Sequence, residues 1–133
     1  MSAMDITVDT SVLLAVCTNE PSKPRLIQLT VGRRLVAPSS VHWEIGNALS
    51  AMLKRDRIAL EQAEACLAAY RRIPLKLVDV DLSMAVALSA RFRMYAYDAY
   101  LLTCAIQFGS PLITLDRGLR SIAAQLGITV MGD

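Results

Sequence analysis

Along the chain, short β-branched runs alternate with longer stretches whose apolar positions recur every three or four residues. Residues 6–9 (ITVD) read as a strand that ends in a carboxylate, and residues 11–17 continue as a mostly apolar, buried helix. A loop over 18–24, containing Pro21 and Pro24, leads into a helix over 24–31 that Gly32 closes. A second strand over 35–37 stops at Pro38. Ser39 or Ser40 then caps a helix over 41–55, whose Val41, Ile45, Ala48, Leu49 and Met52 keep helical spacing. A helix over 59–72 places Leu60, Ala63, Leu67 and Tyr70 on one face and ends before Pro74. A third strand covers 75–80, and Asp81 is a natural N-cap for a helix over 82–93. After a junction at 94–97, a helix over 98–108 ends at Gly109, and a fourth strand covers 112–115. Asp116 opens a helix that runs to 126. Gly127 closes it, and a fifth strand occupies 128–131.

Strands alternating with helices in this way predict an α/β fold: a five-stranded parallel sheet with helices on both faces. There is no internal repeat, low-complexity segment or linker, so residues 1–133 are expected to form a single domain.

Four acids stand out against this frame. Asp9 ends the first strand, Glu44 lies one to two turns into the helix after the second, and Asp116 ends the fourth. Asp98 opens the helix that feeds the fourth strand and can face the same edge. Open parallel sheets bind ligands beyond the C-terminal ends of their strands, where the strand order reverses. Glu44 and Asp98 sit in otherwise apolar segments, VHWEIGNAL and YAYDAYLLTCAI, where an unpaired buried charge is costly. Several carboxylates crowded together cannot all stay ionised unaided, and a divalent cation is the usual remedy. Oxygen-only ligands suit Mg²⁺ or Mn²⁺, and a single histidine excludes a His-rich zinc site. Taken one at a time, Asp9 and Asp116 could be helix caps and Glu44 a solvated acid. Asp79 and Asp81 are better explained as strand-end and capping acids.

Composition narrows the setting. At 54% hydrophobic residues, the chain can bury a sizeable core. It has no run of 18 uncharged apolar residues, so no membrane span is expected, and the start MSAMD lacks the features of a secretory leader. Cys17, Cys66 and Cys104 are odd in number, widely spaced and in apolar helices. They are expected to be reduced and buried, which fits a cytoplasmic protein. The net charge of +2 becomes more basic over the remaining surface if four acids are set apart in one site. The pairs Arg33-Arg34, Lys54-Arg55, Arg71-Arg72 and Arg91/Arg93 could serve nucleic acid or simply be solvated helix ends.

The segments VDTSVLLA, APSSVHWEIGNAL, YAYDAYLLTCA and PLITLDRGL, in that order and over nearly all of the chain, resemble the four motifs of PIN-domain nucleases. The likeness is greatest to VapC-type ribonuclease toxins of toxin–antitoxin pairs. The resemblance implies a three-layer α/β/α sandwich and a Mg²⁺-dependent (or Mn²⁺-dependent) endoribonuclease. Asp9, Glu44, Asp98 and Asp116 would be its catalytic and metal-binding quartet, with Glu44 either ligand or base. Thr10 and Thr114 match small polar positions that orient a ligand, water or phosphate. Arg117 could hold the phosphate or lie on the surface. Tyr95, Tyr97 and Arg93 could meet RNA bases, or the tyrosines could be core or dimer contacts, and His42 reads as a structural histidine. The implied partners are an RNA substrate, a small antitoxin and a second copy of the chain in a homodimer. Some members carry a further polar residue two positions after the last acid, where this chain has Gly118, so one tightly held ion is expected.

Other readings remain. Receiver domains and aspartate-nucleophile phosphatases also place acids at this edge, but they need a late lysine, and none follows Asp116. The phosphatases also need an Asp where this chain has Ser11. A stand-alone PIN nuclease and a non-catalytic PIN-like binding module are the alternatives to a toxin.

Overall fold

The structure is a computed structural model and describes residues 5–132. The reading of the chain's start as free of a leader therefore falls partly outside the described residues. The element order is β1 (Asp5–Val8), α1 (Thr10–Cys17), α2 (Lys23–Thr30), β2 (Arg34–Pro38), α3 (Ser40–Lys54), α4 (Leu60–Arg71), β3 (Leu75–Val78), α5 (Leu82–Phe92), α6 (Ala96–Phe108), β4 (Leu112–Ile113) and α7 (Arg117–Gln125). The strands form one parallel sheet in the order β3-β2-β1-β4.

β1 lies inside the sheet, and its Ile6, Thr7 and Val8 are at most 1% exposed. A parallel strand covered on both faces is apolar throughout, and the buried part of β1 departs from that at Thr7 alone. There the hydroxyl shares a 2.7 Å hydrogen bond with Ser110 and donates to Cys104 Sγ. Across the sheet, Ile6 pairs with Leu35, Leu35 with Leu75, and Val8 with Ile113. α6 packs across β1 and β2, with α5 against its outer side, while α1 is flanked by α2, α3 and α4. α6 is the most deeply buried helix: Ala99 and the run Leu101 to Ala105 are all sealed from solvent. This explains the apolar surroundings of Asp98.

The sheet has four strands where five were expected. Residues 128–131 do run beside β4, with Leu112 N–H donating to Thr129 O and Met131 N–H donating to Leu112 O, both at 2.8 Å. They form only one bridge, Val130 to Leu112. β4 is two residues long, and the last segment lies between left-handed turns at Gly127 and Gly132. There is little ladder on either side to pair.

Three local expectations also need correction. Ser39 heads α3 but makes no cap bond; its hydroxyl donates to Val78 O at 3.1 Å and to Asp79 Oδ1 at 3.2 Å, tying the end of β2 to the end of β3. Leu60 does not join the buried face of α4, being 62% exposed, whereas Ala63 and Tyr70 do. Asp116 stands three residues beyond β4 rather than at its end. Asp81, by contrast, caps α5 as expected, accepting from Met84 N–H at 3.0 Å. Cys17, Cys66 and Cys104 are free and buried. Among the described residues, no helix is long and apolar enough to cross a membrane.

Leu102, which is fully buried on α6, is expected to cost about 2–5 kcal/mol when replaced by Ala. Leu60→Ala should change stability by no more than about 0.5 kcal/mol. Urea unfolding of the two variants measures the contrast.

Candidate functional site

From β1 the chain crosses to β2 and β3 on one side; from β4 it turns to the opposite side, where Val130 bridges. The strand order therefore reverses between the neighbours β1 and β4, and the crevice beyond their C-terminal ends is the switch point.

Asp9 leaves β1 at that point. It occupies the N-cap position of α1 but makes no cap bond, and it is only 7% exposed. Its Oδ2 accepts from Thr114 Oγ1 at 2.6 Å and from Ser11 Oγ at 2.9 Å. Each hydroxyl also accepts: Thr114 Oγ1 from Asp116 N–H at 3.0 Å, and Ser11 Oγ from Leu115 N–H at 3.2 Å. Two hydroxyls thus stitch the turn after β1 to the turn after β4 while donating to a carboxylate, the stronger kind of hydrogen bond. Arg120 steadies the same turn by donating to Thr114 O.

Asp116 is the N-cap of α7, its Oδ1 accepting from Leu119 N–H at 3.1 Å. Asp98 projects from the first turn of α6. Its carboxyl is pushed above the ordinary carboxylate range by burial, then by the charges of Asp116 and Asp9. Glu44, in the second turn of α3, is raised from 4.5 to about 7. Burial is the main cause, followed by the Asp9 charge, with Asp98 adding to it. The hydroxyls of Thr10 and Ser40 lie beside Glu44 and pull the other way. Neither they nor the buried Glu44 Oε2 finds a hydrogen bond of good geometry. Glu44 feels Asp9 and Asp98, and Asp98 feels Asp9 and Asp116, so one repulsive field joins all four acids. Among the described residues, no ion pair joins a Lys or Arg to any of the four.

The acids ring a mouth rather than close into a cage: among the described residues, no three His, Cys, Asp or Glu side chains already form a metal clasp. Mg²⁺ keeps several of its waters and takes only one or two carboxylates directly. An all-oxygen set with an unpartnered buried carboxylate oxygen therefore fits a hydrated divalent ion of this kind.

The remaining candidates separate clearly. Thr114 and Thr10 stand beside acids, while Arg117 is an exposed residue at the start of α7. Ser11 and Ser40 were not expected at the site, Ser40 being read only as a possible helix cap; the only signal was a hydroxyl two residues after Asp9 and another one turn before Glu44. Tyr95 and Tyr97 are 86% and 55% exposed, which rules out a core role. His42 is satisfied, its Nδ1 lying 3.0 Å from Tyr70 Oη.

Residues 6–125 match the model of the family described as the PIN domain, and the chain belongs to that family. No curated protein matches it. Its fold is shared with PAE2754 from Pyrobaculum aerophilum, at 21% identity and TM-score 0.71 over 96% of this chain and 91% of that one. It is also shared with VapBC2 from Rickettsia felis, solved bound to a promoter DNA fragment, at 16% identity and TM-score 0.66 over 96% and 97%. At these identities the likeness establishes the fold alone.

Because Glu44 titrates at about 7 in the folded protein against 4.5 ordinarily, the folded state holds its proton more tightly. The associated stability is fully present below 4.5 and is lost as pH rises towards 7. Glu44→Gln should therefore stabilise the protein at pH 8, by about 1–2 kcal/mol after solvent screening, and have no such effect at pH 4. Urea unfolding in EDTA at both pH values measures this. An equal effect at both would show that Glu44 does not carry the raised affinity for its proton.

Proposed function

We propose that this chain is a divalent-metal-dependent endoribonuclease and the toxin of a toxin–antitoxin pair. The observation that carries the reading is the ring of four mutually repelling acids at the switch point, with a buried, unpartnered Glu44 oxygen among them. Such an arrangement works against folding and makes sense only if something cationic is to be held there.

Asp9, Asp98 and Asp116 would hold Mg²⁺ or Mn²⁺, directly or through its waters. When bound, the ion supplies Lewis-acid polarisation of a phosphoryl oxygen and makes water more acidic. Thr114 and Ser11 fix the Asp9 carboxylate by donating to Oδ2. Glu44 is either a further ligand or the base that takes the proton of the attacking water, for which a pKa of about 7 is suitable. The Thr10 hydroxyl, buried beside Glu44 and without a hydrogen-bond partner, is available to orient a ligand, water or phosphate, and Arg117 is available to the phosphate. The exposed Tyr95 and Tyr97 offer rings on which unpaired RNA bases can stack.

The VapC-like motif order and the fold shared with VapBC2 support the toxin role. They also support a small antitoxin as partner, a homodimer and a cytoplasmic setting, and a stand-alone PIN nuclease is the alternative. A second reading, a non-catalytic PIN-like module, is favoured by two observations: Asp116 already caps α7, and among the described residues no three acids form a ready clasp.

Structured RNAs incubated with the purified protein and Mn²⁺ should be cleaved, and EDTA should abolish the cleavage. Asp9→Asn and Asp98→Asn should each lower the rate by about 100-fold or more, and Thr114→Val by about 10–100-fold. Mn²⁺ should also raise the Tm of the wild type but not of Asp9→Asn. Cleavage insensitive to EDTA, or undiminished in Asp9→Asn, would sink the nuclease reading. Mn²⁺ binding without cleavage of any RNA would favour the binding module.

A further inference from the structure

A cavity of about 290 Å³ opens beside the acids, where β2 and β3 end. Its walls are apolar on most sides: Pro38, Val78, Leu82 and the ring of Tyr100. Tyr100 stands on α6 two residues after Asp98, and its ring meets Tyr97 edge to face at 6.0 Å. Three polar residues also line the cavity, Ser39, Ser40 and Asp79. Ser40 is the shared wall, since its hydroxyl lies beside the Glu44 carboxyl one helical turn further on. Asp79 is exposed and receives a single long hydrogen bond from Ser39, at 3.2 Å, which leaves most of its acceptor capacity unused. Asp81, two residues on, is already committed to capping α5.

The geometry points to a nucleobase pocket that reads the base next to the cleaved phosphodiester, with Asp79 as the residue that sets its preference. This inference rests on the ribonuclease reading above. The volume lies near the lower end of small-ligand sites, roughly 300 Å³, and is room enough for a nucleobase. Apolar walls with a tyrosine ring take a flat, weakly hydrated ring system. A carboxylate repels phosphate and selects N–H donors. Guanine presents two adjacent donors, N1–H and N2–H, on its Watson–Crick edge and can be held by both carboxylate oxygens. Adenine and cytosine offer one amino group beside a ring acceptor. Uracil offers one N–H between two carbonyls, both of which oppose the carboxylate. The expected order is guanine first and uracil last.

The test uses short labelled oligoribonucleotides that differ at one position. Their binding to Asp98→Asn protein is followed by fluorescence anisotropy, and the cut sites made by otherwise wild-type protein are mapped in Mn²⁺. The guanine oligonucleotide should bind about tenfold tighter than its uracil counterpart. Adding Asp79→Asn should reduce that ratio to about twofold or less without lowering the Tm, and should shift the base found at the cut site. Equal binding of both oligonucleotides, or a guanine preference that survives Asp79→Asn, would overturn the assignment. So would a variant that binds oligonucleotides normally and loses only a protein partner. If the wild type cuts no RNA while the Asp79-dependent preference persists in binding, the pocket stands and the nuclease reading falls.

Discussion

The hydrogen bond from Thr114 to Asp9, at 2.6 Å between two buried groups, is the constraint on which the rest of the site depends. It exists because β1 and β4 are neighbours although more than 100 residues separate them in the chain. Parallel pairing of Val8 with Ile113 delivers both turns to the same edge. Thr114 donates across to Asp9, and Ser11, which also donates to Asp9, accepts from Leu115 N–H of the opposite turn; these two crossings fix the separation of the turns. Asp116 then caps α7 from a position that the same Thr114 oxygen defines. The sheet edge and the acidic mouth are held by the same few hydroxyls.

Against this order stands electrostatic repulsion. Asp98 enters on α6, whose run Leu101 to Ala105 is sealed from solvent, and Glu44 on a helix packed against it. Burial raises both carboxyls before any neighbour does. Dehydrated acids that also repel one another destabilise the fold, and the two nearest hydroxyls compensate Glu44 only in part. The core sealed by Ile6, Leu101, Leu102 and Leu112 offsets this cost. The same apolar packing that stabilises the domain's centre also makes the mouth costly to leave without a cation.

The sequence made the four acids visible for a physical reason. Each follows or enters an apolar run, where a charge is conspicuous, and the parallel topology carries such positions to one edge. The hydroxyls that position Asp9 were less legible, because a serine or threonine in a turn is ordinary and its partner lies on another strand. The same is true of Ser39, read as a helix cap and found bonded to β3. The fifth strand had the right residues and lacked a long enough neighbour, a fact that only β4's two-residue length reveals. Helical spacing placed Leu60 with Ala63 and Tyr70, yet it opens α4 and has no packing partner in the core. Periodicity reports which side chains share a face, and tertiary contact decides how far along the helix that face stays covered.

Gly118 shows how the fold leaves room for the Asp116 carboxylate that caps α7. It lies in the first turn of α7, where glycine is a poorer helix former than alanine by roughly 0.5–1 kcal/mol. Its backbone has no need of glycine's freedom, since its φ is not positive. A Cβ there would stand 3.3 Å from Asp116 Oδ1, closer than side-chain carbons ordinarily approach. That oxygen is the one that accepts from Leu119 N–H. A side chain at this position would press on the cap and turn the Asp116 carboxylate relative to Asp98, whose charge it already opposes. Glycine keeps Asp116 uncrowded and adds no further side-chain oxygen beside the four acids.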